Sequence, residues 1–477
     1  MTRIGLVVNP VAGLGGRVGL GGTDGPDRTR VALSLGARPL AGARAAAALG
    51  ELAARSDQLT GGVSRPAWDG RGSESTAAAH PAPSRRTQVS AASTASAPDG
   101  RADASEGTAY APATTRERTP HPVPGRRADA TGDPAPNELS DTQAGAAAIA
   151  PVGHPPGSGL LVVTAAGPLG ADSVAAAGLA GRIVYAAGAG RDTSAADTAA
   201  AVRAVVAEGV DLLLFAGGDG TARDVLGALR HVPCPVLGVP TGVKMHSAVF
   251  AISPRAAGEV AAAWLARRST VRLRDAEVMD RDEDALSEGR VASQLFGWLR
   301  VPDIPARVQQ RKTGSTAATP EAVGGIATDV AERVGDGLLV LGPGSTTRAV
   351  AATLGADVSL TGVDVLRLRP GHRPRIVARD AGEDTLLSIG PAWIALSPIG
   401  GQGFLLGRGN QQISPRVLRA AGGRERLLVL CTEQKLAALG GRPLLLDTGD
   451  DALNAELSGH LPVITGRRRT SLYRLAG

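Results

Sequence analysis

Short, uninterrupted apolar runs that end in turn residues and lead into Ala-rich stretches at helical spacing recur along most of this chain. That alternation is the tightest limit on its fold, because it is the pattern of strands followed by helices in an α/β domain. Ile4 to Val8 reads as a buried strand, and further strands begin at Leu160, Arg182, Asp211 and Pro235. Helical spacing covers Thr198 to Glu208 and Ala222 to Leu229. Another helix follows Ser253, with that serine as N-cap and Pro254 at the first helical position. Together these elements predict a doubly wound, Rossmann-like domain.

One long interruption divides the pattern. From about Ser56 to Gly157 the chain is Ala, Pro, Ser, Thr, Gly and Arg with few branched aliphatics and no sustained period. Such a segment buries too little apolar surface to offset its ordering entropy, and it reads as a disordered insertion. The chain tolerates it because loop-closure cost grows only logarithmically with length. After about Thr270 two stretches, VRLRDAEVMD and RVASQLFGWLRV, read as antiparallel strands joined by an acidic turn. A helix from Thr319 to Val334, the strand GLLVLG, strands at Pro391 to Leu396 and Arg426 to Leu430, and helices from Ser414 and Thr432 complete a second, mixed α+β domain. The division is therefore 1–55 with 158–270 for the first, discontinuous domain, 56–157 for the insertion, and 271–477 for the second domain.

With 477 residues the chain exceeds the usual single core. Its cores must be Ala, Val and Leu, since aromatics are 2% of the sequence. The net charge of +6 would suit an anionic partner. No basic run with interleaved aromatics accompanies it, which argues against nucleic acid. Arg467-Arg468-Arg469 reads as a solvated tail. Cys234 and Cys431 each adjoin a strand-like apolar run and read as buried structural thiols. No stretch approaches the roughly 20 apolar residues that span a bilayer, and nothing resembles a signal peptide, so a cytoplasmic location is expected and no membrane partner.

The chemistry is concentrated where strand Asp211 to Ala216 runs into Gly217-Gly218-Asp219-Gly220-Thr221 and then a helix. Glycines there let the backbone approach phosphate oxygens, the helix N-terminus favours an anion, and Thr221 can cap the helix or touch a phosphate. A carboxylate facing phosphates is out of place in a pure anion site. Asp219 therefore points to a hydroxyl nucleophile or a metal ion that needs orienting.

Lysine occurs only at Lys244, Lys312 and Lys435, and asparagine only at Asn9, Asn137, Asn410 and Asn454. Lys244 and His246 lie in PTGVKMHSAVFA, just past a strand end where α/β ligands collect. Lys244 is the candidate cation for phosphate, and His246 a candidate substrate contact. A second anion-suited turn, Gly342 to Thr347, follows GLLVLG and makes Gly344, Ser345 and Thr346 candidate phosphate contacts. The loop GGQGFLLGRGNQQISP offers Arg408, Asn410 and Gln411.

GGDGT, together with Asn9-Pro10 in VVNPVAG and the segments LGPGSTTRAV, SPIGGQGFLLGRGNQQISP and LLLDTGDDALNAELSGHLPVITG, resembles the ATP-NAD kinase family within the NAD kinase and diacylglycerol kinase superfamily. The resemblance covers nearly the whole chain outside the insertion. It implies phosphoryl transfer from ATP to the 2′-hydroxyl of the adenosine ribose of NAD, with Asp219 catalytic, Gly217, Gly218, Gly220 and Thr221 on phosphates, and Asn9 bracing the loop. It also implies Mg²⁺ held mainly by the ATP phosphates rather than by a protein cage, small-molecule partners ATP and NAD, and a homo-oligomer. The Asn-Glu pair that typical members present to the ribose is absent; Asp275, Glu277 and Asp280 occupy that region. A kinase for another small alcohol or a lipid, or a nucleotide-binding regulator without turnover, are the other readings.

Overall fold

Strands that are apolar on every residue have to be covered on both faces, which parallel α/β sheets achieve with helices on each side. The computed structural model describes residues 2–20, 26–55, 160–188, 192–230, 232–241, 245–269, 271–281, 293–305, 307–309 and 319–477. These fall within one compact unit. The interruption read over 56–157 lies outside the described residues, as does Lys244.

The first sheet consists of β1 (Thr2–Val8), β2 (Leu160–Ala165), β3 (Gly181–Tyr185), β4 (Leu212–Gly217) and β5 (Val236–Pro240), all parallel in the order β3-β2-β1-β4-β5. β4 and β5 are buried at every residue. The helices are α1 (Pro26–Ser34), α2 (Ala41–Ala54), α3 (Ala171–Ala176), α4 (Ala195–Ala207), α5 (Asp219–Leu229) and α6 (Pro254–Leu265). α2 packs with α3 and α6, and α4 packs with α5, the two groups a doubly wound sheet needs. Gly258 of α6 lets the helix backbone close on α2, since a Cβ there would lie 2.4 Å from the Ala48 carbonyl oxygen. Phe215 and Phe250, two of only four phenylalanines, meet edge to face at 5.4 Å in this core.

Two helix starts differ from the sequence reading. α4 begins at Ala195 because Ser194 and Asp197 form a reciprocal capping box. α5 begins at Asp219 rather than Ala222, with Gly218 as its N-cap, so the aspartate is in the helix's first turn. Ser253 caps α6 as its sequence predicts, accepting from the Ala256 N–H at 3.1 Å.

β6 (Arg272–Arg281) and β7 (Ser293–Asp303) form the predicted antiparallel pair. Their joining segment is outside the described residues. Ala276, Val278, Leu299 and Val301 insert into the core of the first sheet.

The second sheet is mixed and nine-stranded: β8 (Gly337–Leu341), β9 (Asp364–Leu368), β10 (Arg375–Ala378), β11 (Trp393–Leu396), β12 (Phe404–Leu406), β13 (Leu427–Leu430), β14 (Leu444–Leu446), β15 (Gly459–Gly466) and β16 (Arg469–Ala476), in the order β10-β9-β8-β11-β13-β15-β16-β14-β12. Its helices are α7 (Pro320–Val334), α8 (Ser345–Leu354), α9 (Glu383–Ser388), α10 (Pro415–Ala421), α11 (Glu433–Ala437) and α12 (Asp451–Leu457). Thr319, Ser414 and Thr432 cap α7, α10 and α11 as expected. β8, β11 and β13 are parallel neighbours, so their carboxyl ends open on the same side. Arg467 to Arg469 correct the sequence reading: Arg467 and Arg468 make the turn between β15 and β16, and Arg469 opens β16, rather than forming a tail. Arg467 pairs with Glu332 at 2.6 Å, Arg469 with Glu433 at 2.7 Å, and Asp329 accepts from the Arg468 N–H at 2.9 Å.

Candidate functional site

In the first sheet the chain order reverses between β1 and β4, and in such sheets ligands bind in the crevice outside the strand ends at that reversal. β1 delivers Asn9 to this point and β4 delivers Gly217. Asn9 Nδ2 donates to Thr221 Oγ1 at 3.0 Å, tying one strand end to the first turn of α5, and its Oδ1 accepts from the Val11 N–H. Thr241, just after β5, donates through Oγ1 to the Gly217 carbonyl at 3.0 Å. Gly217 cannot carry a side chain, because a Cβ would fall 2.3 Å from the Thr221 Cβ. Thr221 thus braces the loop from within the helix rather than capping it.

Asp219 is buried at the start of α5 and accepts two backbone hydrogen bonds from the loop after β5. His246 N–H reaches Oδ2 at 2.7 Å and Ser247 N–H reaches Oδ1 at 3.0 Å. Burial pushes the carboxyl up to about 7 against the pull of the Ser247 and His246 donors, and the charge of Asp280 on β6 adds to the rise. Asp280 in turn pairs with Arg223 of α5 at 3.3 Å. A carboxylate with this proton affinity, at a helix N-terminus in a ligand crevice, is suited to accept a proton at neutral pH.

The loop that clamps Asp219 is held at several points. Ser247 Oγ donates to the Met279 carbonyl at 2.8 Å and accepts from the Met279 N–H at 2.9 Å. Gln309 Nε2 donates to the Ser247 carbonyl at 2.8 Å, and Gln402 Nε2, from the loop after β11, donates to the Met245 carbonyl at 3.0 Å. His246 itself is buried. Of the acidic residues in the β6 region, Glu277 receives the Ala248 N–H on its main-chain carbonyl and Asp280 is the one that acts on Asp219.

Gly344, Ser345 and Thr346 lie at the N-terminus of α8, past the carboxyl end of β8. Lys435 of α11 joins them: its Nζ donates to Ser397 Oγ at 2.8 Å and lies 3.4 Å from Thr346 Oγ1. Ser397 is five residues before Gln402, so at roughly 3.5 Å per residue the two groups are linked by at most about 18 Å of chain. Lys435 and Gln402 were not singled out from sequence. Lysine scarcity was a usable signal for the first; a glutamine that binds a main-chain carbonyl leaves none.

Arg408 and Asn410 are engaged within the protein. Asn410 Oδ1 accepts from the Gly407 N–H and its Nδ2 donates to the Leu405 carbonyl, both at 2.9 Å. Arg408 is buried against Phe404, pairs with Asp447 at 2.6 Å and donates to the Ile252 carbonyl. Asp447 also pairs with Arg44 of α2, which donates to the Pro240 carbonyl at the end of β5. Burial pushes the Asp447 carboxyl up, but the two guanidiniums outweigh it and hold the carboxyl below its ordinary value. Arg408 is brought down to about 10 by burial. Gln411 donates to the Gly407 carbonyl at 3.4 Å and lies against Gly16 of the segment after β1. The thiols of Cys234 and Cys431 are free and buried, and burial pushes them up to about 12 and about 11, which suppresses thiolate chemistry. Among the described residues no helix is long and apolar enough to cross a membrane.

Residues 161–269 match the family described as ATP-NAD kinase N-terminal domain, and residues 330–475 match the ATP-NAD kinase C-terminal domain. No curated protein and no solved structure gives a significant match.

Proposed function

The chain belongs to the ATP-NAD kinase family, and we propose that it transfers the γ-phosphoryl group of ATP to the 2′-hydroxyl of the adenosine ribose of NAD, giving NADP and ADP. Asp219 carries the reading: a carboxylate buried at the first turn of α5, beside the β1–β4 crevice, that holds its proton to about pH 7. Two backbone N–H groups and the Ser247 side chain hold part of its lone-pair capacity, and a carboxylate can accept a further hydrogen bond from an alcohol O–H. As the ribose oxygen bonds to phosphorus in line with the departing ADP oxygen, Asp219 accepts the hydroxyl proton.

Phosphoryl transfer asks the protein chiefly for positioning and charge neutralisation. The N–H groups at the start of α5 and the glycine backbone before it suit phosphate oxygens, with Asn9 and Thr221 fixing their direction. Gly344 to Thr346, backed by Lys435, suits further phosphate in the same reading. Lys244 remains the cation assigned from sequence. The donor enters as its Mg²⁺ complex, with the ion held mainly through the ATP phosphates and water. Both nucleotides are cytoplasmic metabolites in this reading.

Purified protein incubated with ATP, Mg²⁺ and NAD, with NADP read by an NADP-specific dehydrogenase, is the test. NADP forms with the native protein and falls at least about a hundredfold with Asp219→Asn. ADP release only when another alcohol replaces NAD would move the acceptor, and an unchanged rate in the variant would remove Asp219 from the mechanism.

A further inference from the structure

The two backbone donors that clamp Asp219 are not equally placed. The shorter bond, at 2.7 Å, comes from the His246 N–H. That N–H belongs to the peptide group whose carbonyl is Met245, and it is this carbonyl that accepts from Gln402 Nε2 at 3.0 Å. One peptide unit therefore carries a continuous chain of hydrogen bonds from the Gln402 amide, through C=O and N–H, to the Asp219 carboxylate. In such a chain each bond polarises the next, so a donor on the carbonyl makes the N–H at the other end a better donor.

The loop that carries Gln402 is built to present it. Gly401 and Gly403, at φ of 77° and 82°, flank it in the left-handed region that only glycine enters without strain. Ile399 N–H donates to the Phe404 carbonyl at 2.9 Å, Gly403 N–H to the Ile399 carbonyl at 2.8 Å, and Arg442 to the Gly401 carbonyl at 2.9 Å. Leu445 N–H donates to the Gly403 carbonyl, which fixes the loop to the second sheet. Gln402 is buried, and among the described residues its Oε1 has no hydrogen-bond partner while its Nε2 donates to the Met245 carbonyl.

We propose that Gln402 is a positioning residue for Asp219: acting from the second sheet through the Met245–His246 peptide group, it orients and strengthens the His246 N–H, one of the donors that hold the carboxylate. The proposal rests on the role given above to Asp219 and not on which alcohol is phosphorylated. The other charge that acts on Asp219 is Asp280 of β6, held by Arg223 of α5; His246, buried on the clamping loop, directly follows the Met245 carbonyl that Gln402 holds.

The experiment compares the native protein with Gln402→Met, which keeps the length and loses the donor, and Gln402→Leu, which loses the donor in a shorter apolar side chain. Asp219 ionisation is followed without turnover, as the carboxylic-acid C=O stretch in infrared titrations, with the Asp219 band identified by its loss in Asp219→Asn. Loss of one polarising bond raises the midpoint by about half a pH unit in both variants. The pH dependence of kcat moves with it, so the Met variant is about threefold slower than native at pH 6, about twofold at pH 7, and equal above about pH 8.5. Gln402→Leu carries the test alone should Gln402→Met not fold. A midpoint unmoved in folded variants, or kcat lowered by one factor at every pH, overturns the proposal. A band that moves in a protein that makes no NADP sustains this inference and sinks the choice of acceptor; NADP formation with an unmoved band does the reverse.

Discussion

Asp219→Asn should make the folded protein less sensitive to pH while abolishing turnover. In the native protein the carboxyl holds its proton to about pH 7, against 3.8 for an exposed aspartate, because burial penalises the charge more than the clamp relieves it. The folded state therefore binds the proton more tightly than the unfolded state. The stability this confers is complete below 3.8 and is lost as pH rises to about 7. At about 1.4 kcal/mol per pH unit, and with the native carboxyl half-ionised at pH 7, the rise from pH 5 to pH 7 removes about 2 kcal/mol from the native protein and the rise to pH 8.5 about 3 kcal/mol. Asparagine has nothing to ionise and keeps it. Its NH₂ must face one of the two N–H donors, a loss that is constant with pH, so the measure is the slope and not the offset. Urea unfolding of both proteins between pH 5 and pH 8.5 should give a stability difference that moves by about 3 kcal/mol in favour of the variant. A difference that stays flat across that range would refute the assignment of a buried, high-affinity carboxyl at position 219.

Asp447→Asn would leave the guanidiniums of Arg44 and Arg408 buried without their shared counter-charge, and should lower stability by about 3–5 kcal/mol, read as a drop in the urea midpoint. Lys435→Met removes the ammonium from Ser397 and Thr346 and should raise KM for ATP roughly tenfold with kcat nearly kept, about 1.4 kcal/mol of binding, measured by initial rates. Because β1, α2 and β2 already complete one crossover, joining Arg55 to Ser158 with a short Gly/Ser linker in place of 56–157 should preserve the thermal midpoint to within a few degrees and the NADP-forming rate. A collapse of either would show that the excised residues contribute to the folded core.

Much of the first sheet was legible because its central strands are continuous apolar runs and its helices announce themselves: Ser253-Pro254 starts α6 as read. The same cap chemistry at Thr319, Ser414 and Thr432 set the starts of three helices in the second half. The nine-strand order was not legible. Strands of three or four residues such as β12 and β14 carry no period, and their pairing is decided by contacts far apart in sequence. At the site, strand, GGDGT and helix located Asp219, but what sets its proton affinity is main-chain N–H from residues 246 and 247, and backbone donors have no sequence signature. Arg408 and Asn410 illustrate the opposite problem. Polar side chains on a glycine-rich loop read as ligand contacts, and tertiary packing gives both of them partners inside the protein.

Arg44 and Asp447 are 403 residues apart in the chain, and they meet beside the end of β5. On a ribosome adding about 5–20 residues per second, Arg44 emerges some 20–80 seconds before the carboxylate that neutralises it. Once β5 is made, about halfway through that interval, the first sheet has all its strands but carries an uncompensated cation where its ligand crevice meets the second sheet. The nascent protein therefore completes its crevice only when nearly the last segment has been synthesised, and a product terminated shortly before Asp447 would be left with an unfinished interior rather than a working half.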